Sequence, residues 1–165
     1  ATVMSNLALE LYLEKIGVSL IRTQVGDKNV SSCMSRQSLN LGGEQSGHLI
    51  LSDYSDAGDG LITSLQVLSV LVESKKKASE IFNLFKPFPQ SLINIAADKC
   101  NDFQKNEQIK NRLEELQSSL SGKGRILIRK SGTENVIRVM VEHKEENKLK
   151  ETVDTCVSIL KKEEV

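Results

Sequence analysis

The sequence predicts an α/β part, a mixed sheet with helices, followed by a small α+β part whose largely antiparallel sheet is covered by helices on one face. Three observations carry this. Helix-like and strand-like patterns alternate through the first half. Pro87 and Pro89, the only prolines, stand together and mark a break. Beyond them the order becomes strand, helix, strand, strand, helix. The expected division is therefore residues 1–86 and 87–165.

Each element has a local reason. Ser5 or Asn6 caps a helix to about residue 16, with Gly17 as its stop. Residues 18–23 read as a strand. Gly26-Asp27 opens a second helix to about residue 37, residues 39–43 form a glycine-rich approach, and 48–51 a short strand. Gly58-Asp59-Gly60 opens the longest apolar helix, about 59–74. There Leu61, Ile62, Leu65, Leu68 and Val72 cover a broad face expected to be buried against a sheet. Asp59 suits its N-cap, and Lys75-Lys76-Lys77 puts positive charge at its C-terminus. Residues 78–85 add a helical turn or two. In the second part, 91–96, 125–130 and 136–142 read as strands, and 107–120 and 145–162 as helices. The charges at 145–146 and 161–164 belong to solvent faces of the last helix.

Composition narrows the function. Lys and Arg total 22, as do Asp and Glu, so there is no basic footprint for nucleic acid. Aromatics are 4% and tryptophan is absent, which disfavours a base-stacking surface. Cys33, Cys100 and Cys156 are odd in number and far apart, and His48 and His143 are not at metal-ligand spacing. Reduced thiols in a cytoplasmic protein are the expectation, with no metal site in this chain. Asp53, Asp56 and Asp59 do not have calcium-loop spacing. No apolar run is long enough to span a membrane, and no basic segment precedes an apolar one as in a signal peptide. Thr2-Val3-Met4 reads as the end of a strand that began earlier, so a fragment of a longer protein is expected. A missing strand would leave a sheet edge open to association, which leaves a homodimer open.

Two loops carry chemistry. Arg129-Lys130-Ser131-Gly132-Thr133-Glu134 joins two apolar strands. Hydroxyls on Ser131 and Thr133, backbone N–H at Gly132 and the Arg129 fork suit an anion. The same residues also suit a plain hairpin loop. Arg138, in the following strand, reads as a supporting cation or an outward-facing charge. In Gly42-Gly43-Glu44-Gln45-Ser46-Gly47-His48, Glu44 and Ser46 alternate and point the same way in an extended loop. A carboxylate beside a hydroxyl suits paired sugar hydroxyls, and His48 is a candidate acid, base or orienting group. A polar turn with an incidental histidine is equally open.

Taken together, the words are those of a family. Thr2-Val3-Met4-Ser5-Asn6-Leu7, Val25-Gly26-Asp27, Gly42 to His48, Gly58-Asp59-Gly60-Leu61, Arg129 to Glu134 and Ile137-Arg138-Val139-Met140 stand in order. Over essentially its whole length the chain resembles the C-terminal part of the bacterial phosphoglucosamine mutases of the α-D-phosphohexomutase superfamily. Gln45 and Gly132 favour that branch, since phosphomannomutases and phosphoglucomutases more often have methionine and asparagine there.

The resemblance implies part of the third domain and all of the fourth in a four-domain enzyme. That enzyme interconverts glucosamine 6-phosphate and glucosamine 1-phosphate through a bisphosphate, on the route to UDP-N-acetylglucosamine and peptidoglycan precursors. It implies Mg²⁺, an active-site phosphoserine and a glucose- or glucosamine-1,6-bisphosphate-type activator. Glu44 and Ser46 match the sugar binders, and Arg129, Ser131, Gly132 and Thr133 the loop holding the phosphate that is not transferred. His48 matches the motif histidine. Lys130 and Asn135 stand where proline is common, and Lys28-Asn29 replaces a common Arg-Tyr pair, leaving Lys28 a supporting charge. The chain has no Thr-x-Ser-His-Asn-Pro segment and no Asp-Gly-Asp-x-Asp-Arg loop. The expected partners are a phosphosugar and the missing N-terminal domains, and the chain alone is expected to be inactive. The same half of a phosphomannomutase or phosphoglucomutase, or a truncated binding module, are the alternatives.

Overall fold

The computed structural model describes residues 1–100 and 103–161. The chain divides into two compact units, Ala1–Pro87 and Phe88–Val165.

The first unit opens with α1 (Leu7–Lys15), where the Asn6 side chain accepts from the Ala8 N–H, satisfying one of the free donors of the first turn. Arg22 binds this helix back to its own entrance. Its Nε and Nη2 donate to Glu10 Oε2 at 3.0 and 2.8 Å, and its Nη1 donates to the Ser5 carbonyl at 2.7 Å. Helix α2 (Asp27–Gln37) packs on the antiparallel pair β1 (Leu41–Gly43) and β2 (Leu49–Leu51). Val30, Met34 and Ile50 form the small core between them. Helix α3 (Gly60–Ser74) then runs beside β2, capped by Asp59, whose carboxylate accepts from the Leu61 and Ile62 N–H groups at 2.8 and 2.9 Å. A single turn, α4 (Ala78–Ile81), closes the unit, with Tyr12 stacked on Phe85 at 5.7 Å.

Three expectations change here. Residues 18–23 form no strand; Thr23 makes a single parallel bridge to Thr2, bonded to Ala1 and Val3, and one bridge is too short to extend into a ladder. Residues 41–43 are a strand rather than only a glycine-rich turn. Most importantly, α3 has no buried residue, and Leu61 and Val72 are 72% and 74% exposed. A two-stranded sheet is too narrow to cover a broad apolar face, so the stripe through Leu61, Leu65, Leu68 and Val72 stays open.

The second unit is built on three antiparallel strands in the order β3 (Gln90–Ala96), β5 (Val136–His143), β4 (Gly124–Lys130). A short 3₁₀ turn (Ala97–Lys99) follows β3. Helices α5 (Glu107–Ser119) and α6 (Glu146–Leu160) pack together and against one face of the sheet. Alternation along the strands sends Ile95, Ile137, Val139 and Val141 into that interface, where Leu149, Cys156 and Leu160 meet them. Gln117 on α5 accepts from the Ile126 N–H at 2.7 Å, tying α5 to β4. The helix expected to reach residue 162 ends at Leu160, and the charges at 162–164 lie outside the described residues.

Cys156 is fully buried in this core, and burial pushes its thiol up to about 11. The unfolded thiol ionises first, so above its ordinary range the unfolded state holds fewer protons and stability falls as pH rises. The contribution is complete below about pH 9 and is lost as pH climbs through about 11. Melting temperature measured across this window should fall more steeply for the wild type than for Cys156→Ala.

Candidate functional site

The loop between β4 and β5 is closed by backbone bonds. The Ser131 N–H donates to the Val136 carbonyl at 2.9 Å, and the Asn135 carbonyl accepts from the Ala97 N–H at 3.0 Å. These bonds hold the two ends of the loop, next to Lys130 and at Asn135. Ser131 Oγ accepts from the Glu134 N–H at 3.3 Å, which leaves its own proton free to donate outward. Gly132 and Thr133 are exposed, and among the described residues neither N–H has a partner. The loop therefore offers two backbone donors and two hydroxyls on one short turn.

Strand register adds the cations. Arg129 lies directly opposite Arg138 on β5, and Arg138 lies opposite Asn94 on β3. This row occupies the sheet face away from the helices, as do the rows Leu127–Met140–Leu92 and Arg125–Glu142–Gln90. In the last row, Arg125 Nη2 and Gln90 Nε2 both donate to the buried Glu142 carboxylate, each at 3.3 Å. Arg129 has no hydrogen-bond or ion-pair partner among the described residues. Arg138 Nη2 donates to Glu134 Oε2 at 2.6 Å. Like charges directly across a sheet repel, and an anion between them relieves the repulsion. Half-buried guanidiniums beside unpaired N–H groups make an arrangement suited to a phosphate.

In the first unit, Glu44, Ser46 and His48 belong to one tight turn between β1 and β2. The Glu44 N–H donates to the His48 carbonyl at 2.8 Å, and the Gly47 N–H to the Glu44 carbonyl at 3.0 Å. The Glu44 carboxylate is fixed by a bond that the sequence did not reveal. Its Oε1 accepts from the Gly26 N–H at 3.0 Å, at the N-terminus of α2, where negative charge is favoured. Gly26 has φ 117°, a conformation closed to most side chains, which aims that N–H at the carboxylate. Ser46 is exposed, with no hydrogen bond for its hydroxyl among the described residues. Lys28, on the first turn of α2, is exposed and likewise makes no ion pair.

His48 is placed differently from the other two. Its Nε2 is sealed from solvent with no hydrogen-bond partner in the described structure. The ring sits against Gly58, where an added Cβ would overlap Nε2 and Cε1 and approach Cδ2 to 2.8 Å. The imidazole thus packs the turn against the start of α3.

Among the described residues, no group of three or more His, Cys, Asp or Glu side chains is placed to hold a metal ion. The donors present do not fit Mg²⁺, which demands several oxygen ligands. A hollow of about 830 Å³ beside α2, lined by Ser31, Ser35, Arg36, Asn40 and Asp53, includes no residue of either loop. No helix among the described residues is long and apolar enough to cross a membrane.

Comparison with known proteins gives one consistent answer. The family model "phosphoglucomutase/phosphomannomutase, alpha/beta/alpha domain III" matches residues 1–88, and that of the C-terminal domain matches residues 92–158. A phosphoglucosamine mutase of Zymomonas mobilis is 51% identical over 93% of this chain and 34% of its own length. One from Paramagnetospirillum magneticum is 47% identical over 98% of the chain and 36% of its own length. The chain thus spans about a third of these relatives. In fold, it is similar to Aspergillus fumigatus N-acetylphosphoglucosamine mutase (TM-score 0.77, 17% identity, 96% of this chain and 37% of that one). A structure of the same enzyme in complex with GlcNAc-6P and magnesium gives a TM-score of 0.76 at 18% identity, over 96% of this chain and 40% of that one.

Proposed function

Because the chain belongs to the phosphoglucomutase/phosphomannomutase family, we propose that it is the sugar- and phosphate-recognising part of a phosphoglucosamine mutase. In this reading residues 1–86 are part of the third domain and 87–165 the C-terminal domain. The longer protein interconverts glucosamine 6-phosphate and glucosamine 1-phosphate through a bisphosphate. The observation that carries the reading is the unpaired Arg129 opposite Arg138, beside the unpartnered N–H groups of Gly132 and Thr133.

Each residue then has a task. Arg129, Ser131, Gly132 and Thr133 hold the phosphate that is not being transferred. Fixing a remote group restricts the reacting one and lowers the entropic part of the barrier. Glu44, oriented by the Gly26 N–H, and Ser46 take adjacent sugar hydroxyls. A substrate that must bind in two opposite orientations can present such hydroxyls from either side. His48 serves as an orienting group, since its buried Nε2 faces Gly58. Lys28 supports with charge alone.

The phosphoryl donor, Mg²⁺ and the bisphosphate activator belong to the longer protein, since this chain has no serine-loop or metal-loop motif. Magnesium and glucose 1,6-bisphosphate are each present in complexes of the Aspergillus enzyme. Three buried cysteines outside any disulfide suit the cytoplasm.

The test is turnover on a panel of phosphosugars. A longer protein joining this chain to the serine and metal loops should prefer glucosamine 6-phosphate over mannose 6-phosphate and glucose 6-phosphate. The purified 165-residue chain should turn over none of them. A preference for mannose 6-phosphate would assign the chain to the phosphomannomutases instead.

A further inference from the structure

We infer that Glu134 is a built-in competitor for the bound phosphate, holding Arg138 when the loop is empty and keeping the anchor weak enough to release. This rests on the phosphate reading of the 129–134 loop and adds to it a residue that sets how tightly the loop grips.

Glu134 is the one carboxylate in a turn otherwise made of donors. Its backbone N–H is tied to Ser131 Oγ, so it is part of the turn that carries the free N–H groups of Gly132 and Thr133. Its carboxylate reaches forward to Arg138 at 2.6 Å and neutralises one of two opposed guanidiniums. The pair is asymmetric in setting: Glu134 is 57% exposed and Arg138 29%. Arg138 Nε is sealed and lacks a partner in the described structure. The cation is therefore held in place by its surroundings, while the carboxylate can swing into water.

Among the described residues, an arriving phosphate meets Arg129, which has no partner, and Arg138, which Glu134 holds. To use the second it must replace Glu134, and while Glu134 stays nearby its charge opposes the anion. Both effects lower affinity. A mutase loop must give up one phosphate and take another when the intermediate turns over, so a weak grip suits the cycle. Arg138 is then a positioning residue in the empty loop and a second phosphate partner in the filled one.

The experiment titrates inorganic phosphate into the full chain while following the amide signals of Gly132 and Thr133. Glu134→Gln keeps the shape and removes the charge. It should tighten phosphate about fivefold, the effect of one unit charge several ångströms away in a partly solvated site. The gain should shrink in 1 M salt, where screening is strong. A carboxylate that merely braced the loop would give the opposite sign. Unchanged or weaker binding by Glu134→Gln, with the rest of its spectrum as in the wild type, overturns the inference. Arg129→Ala is the control for the underlying reading. If it binds phosphate as well as the wild type, or if phosphate moves no amide between 131 and 134, the anchor itself is wrong and the competitor falls with it. If Arg129→Ala weakens binding and Glu134→Gln does not tighten it, only the competitor is refuted.

Discussion

Arg129→Ala lowers the affinity of the chain for glucosamine 6-phosphate about ten- to a hundredfold and leaves its folding stability unchanged or slightly raised. The first half follows from charge-assisted hydrogen bonds, which contribute about 1.5–3 kcal/mol each. The second half follows from the empty structure. Arg129 has no hydrogen-bond or ion-pair partner in the described structure, and it faces Arg138 across the strands. Removing it breaks no bond and relieves a like-charge contact. Calorimetric titration and a denaturant melt on the same variant test both halves. Equal loss of affinity and of stability would mean that Arg129 is a structural residue.

Gly58→Ala destabilises the first unit by about 1–3 kcal/mol, the usual cost of forcing extra volume into a packed site. No left-handed backbone is involved at Gly58; the obstacle is the His48 ring. Displacing that ring moves the turn, because the His48 carbonyl accepts the Glu44 N–H at 2.8 Å. Sugar binding should weaken along with stability. His48→Ala empties the space, so adding Gly58→Ala to it should cost a small fraction of its cost in the wild type. Such a double-mutant cycle isolates the contact. Full additivity would show that the two residues do not meet in solution.

Local signals made much of the fold legible. The Gly26-Asp27 start placed α2, and the Asp59 cap placed α3 to within a residue. Two alternating runs flanking a loop of small polar residues placed the β4–β5 hairpin, and the order of elements marked the second unit as an antiparallel sheet with helices. Partnership was not legible. Periodicity showed that α3 is apolar over a broad face but not whether anything in the chain covers it. Residues 18–23 had strand character but too few neighbours to pair with.

The sites divide in the same way. Residue types marked Glu44, Ser46 and the 129–134 loop as binding candidates. The Gly26–Glu44 bond spans 18 residues and joins a helix start to a strand turn, so no local pattern announces it. Nor does the His48–Gly58 contact, since Gly58 reads as part of a helix entrance. Arg138 was recoverable in principle. Closing the hairpin at Ser131 and Val136 sets Arg129 opposite Arg138, which turns an outward-facing charge into half of a cationic pair.

The 129–134 loop is proposed as the anchor for the phosphate of a phosphosugar. Backbone amide shifts mapped as glucosamine 6-phosphate is added, with inorganic phosphate as the comparison, show whether it is. Both ligands should move the amide signals within 129–134. No shift there with either ligand, or shifts confined to exposed lysines such as Lys75 to Lys77, would rule the anchor out.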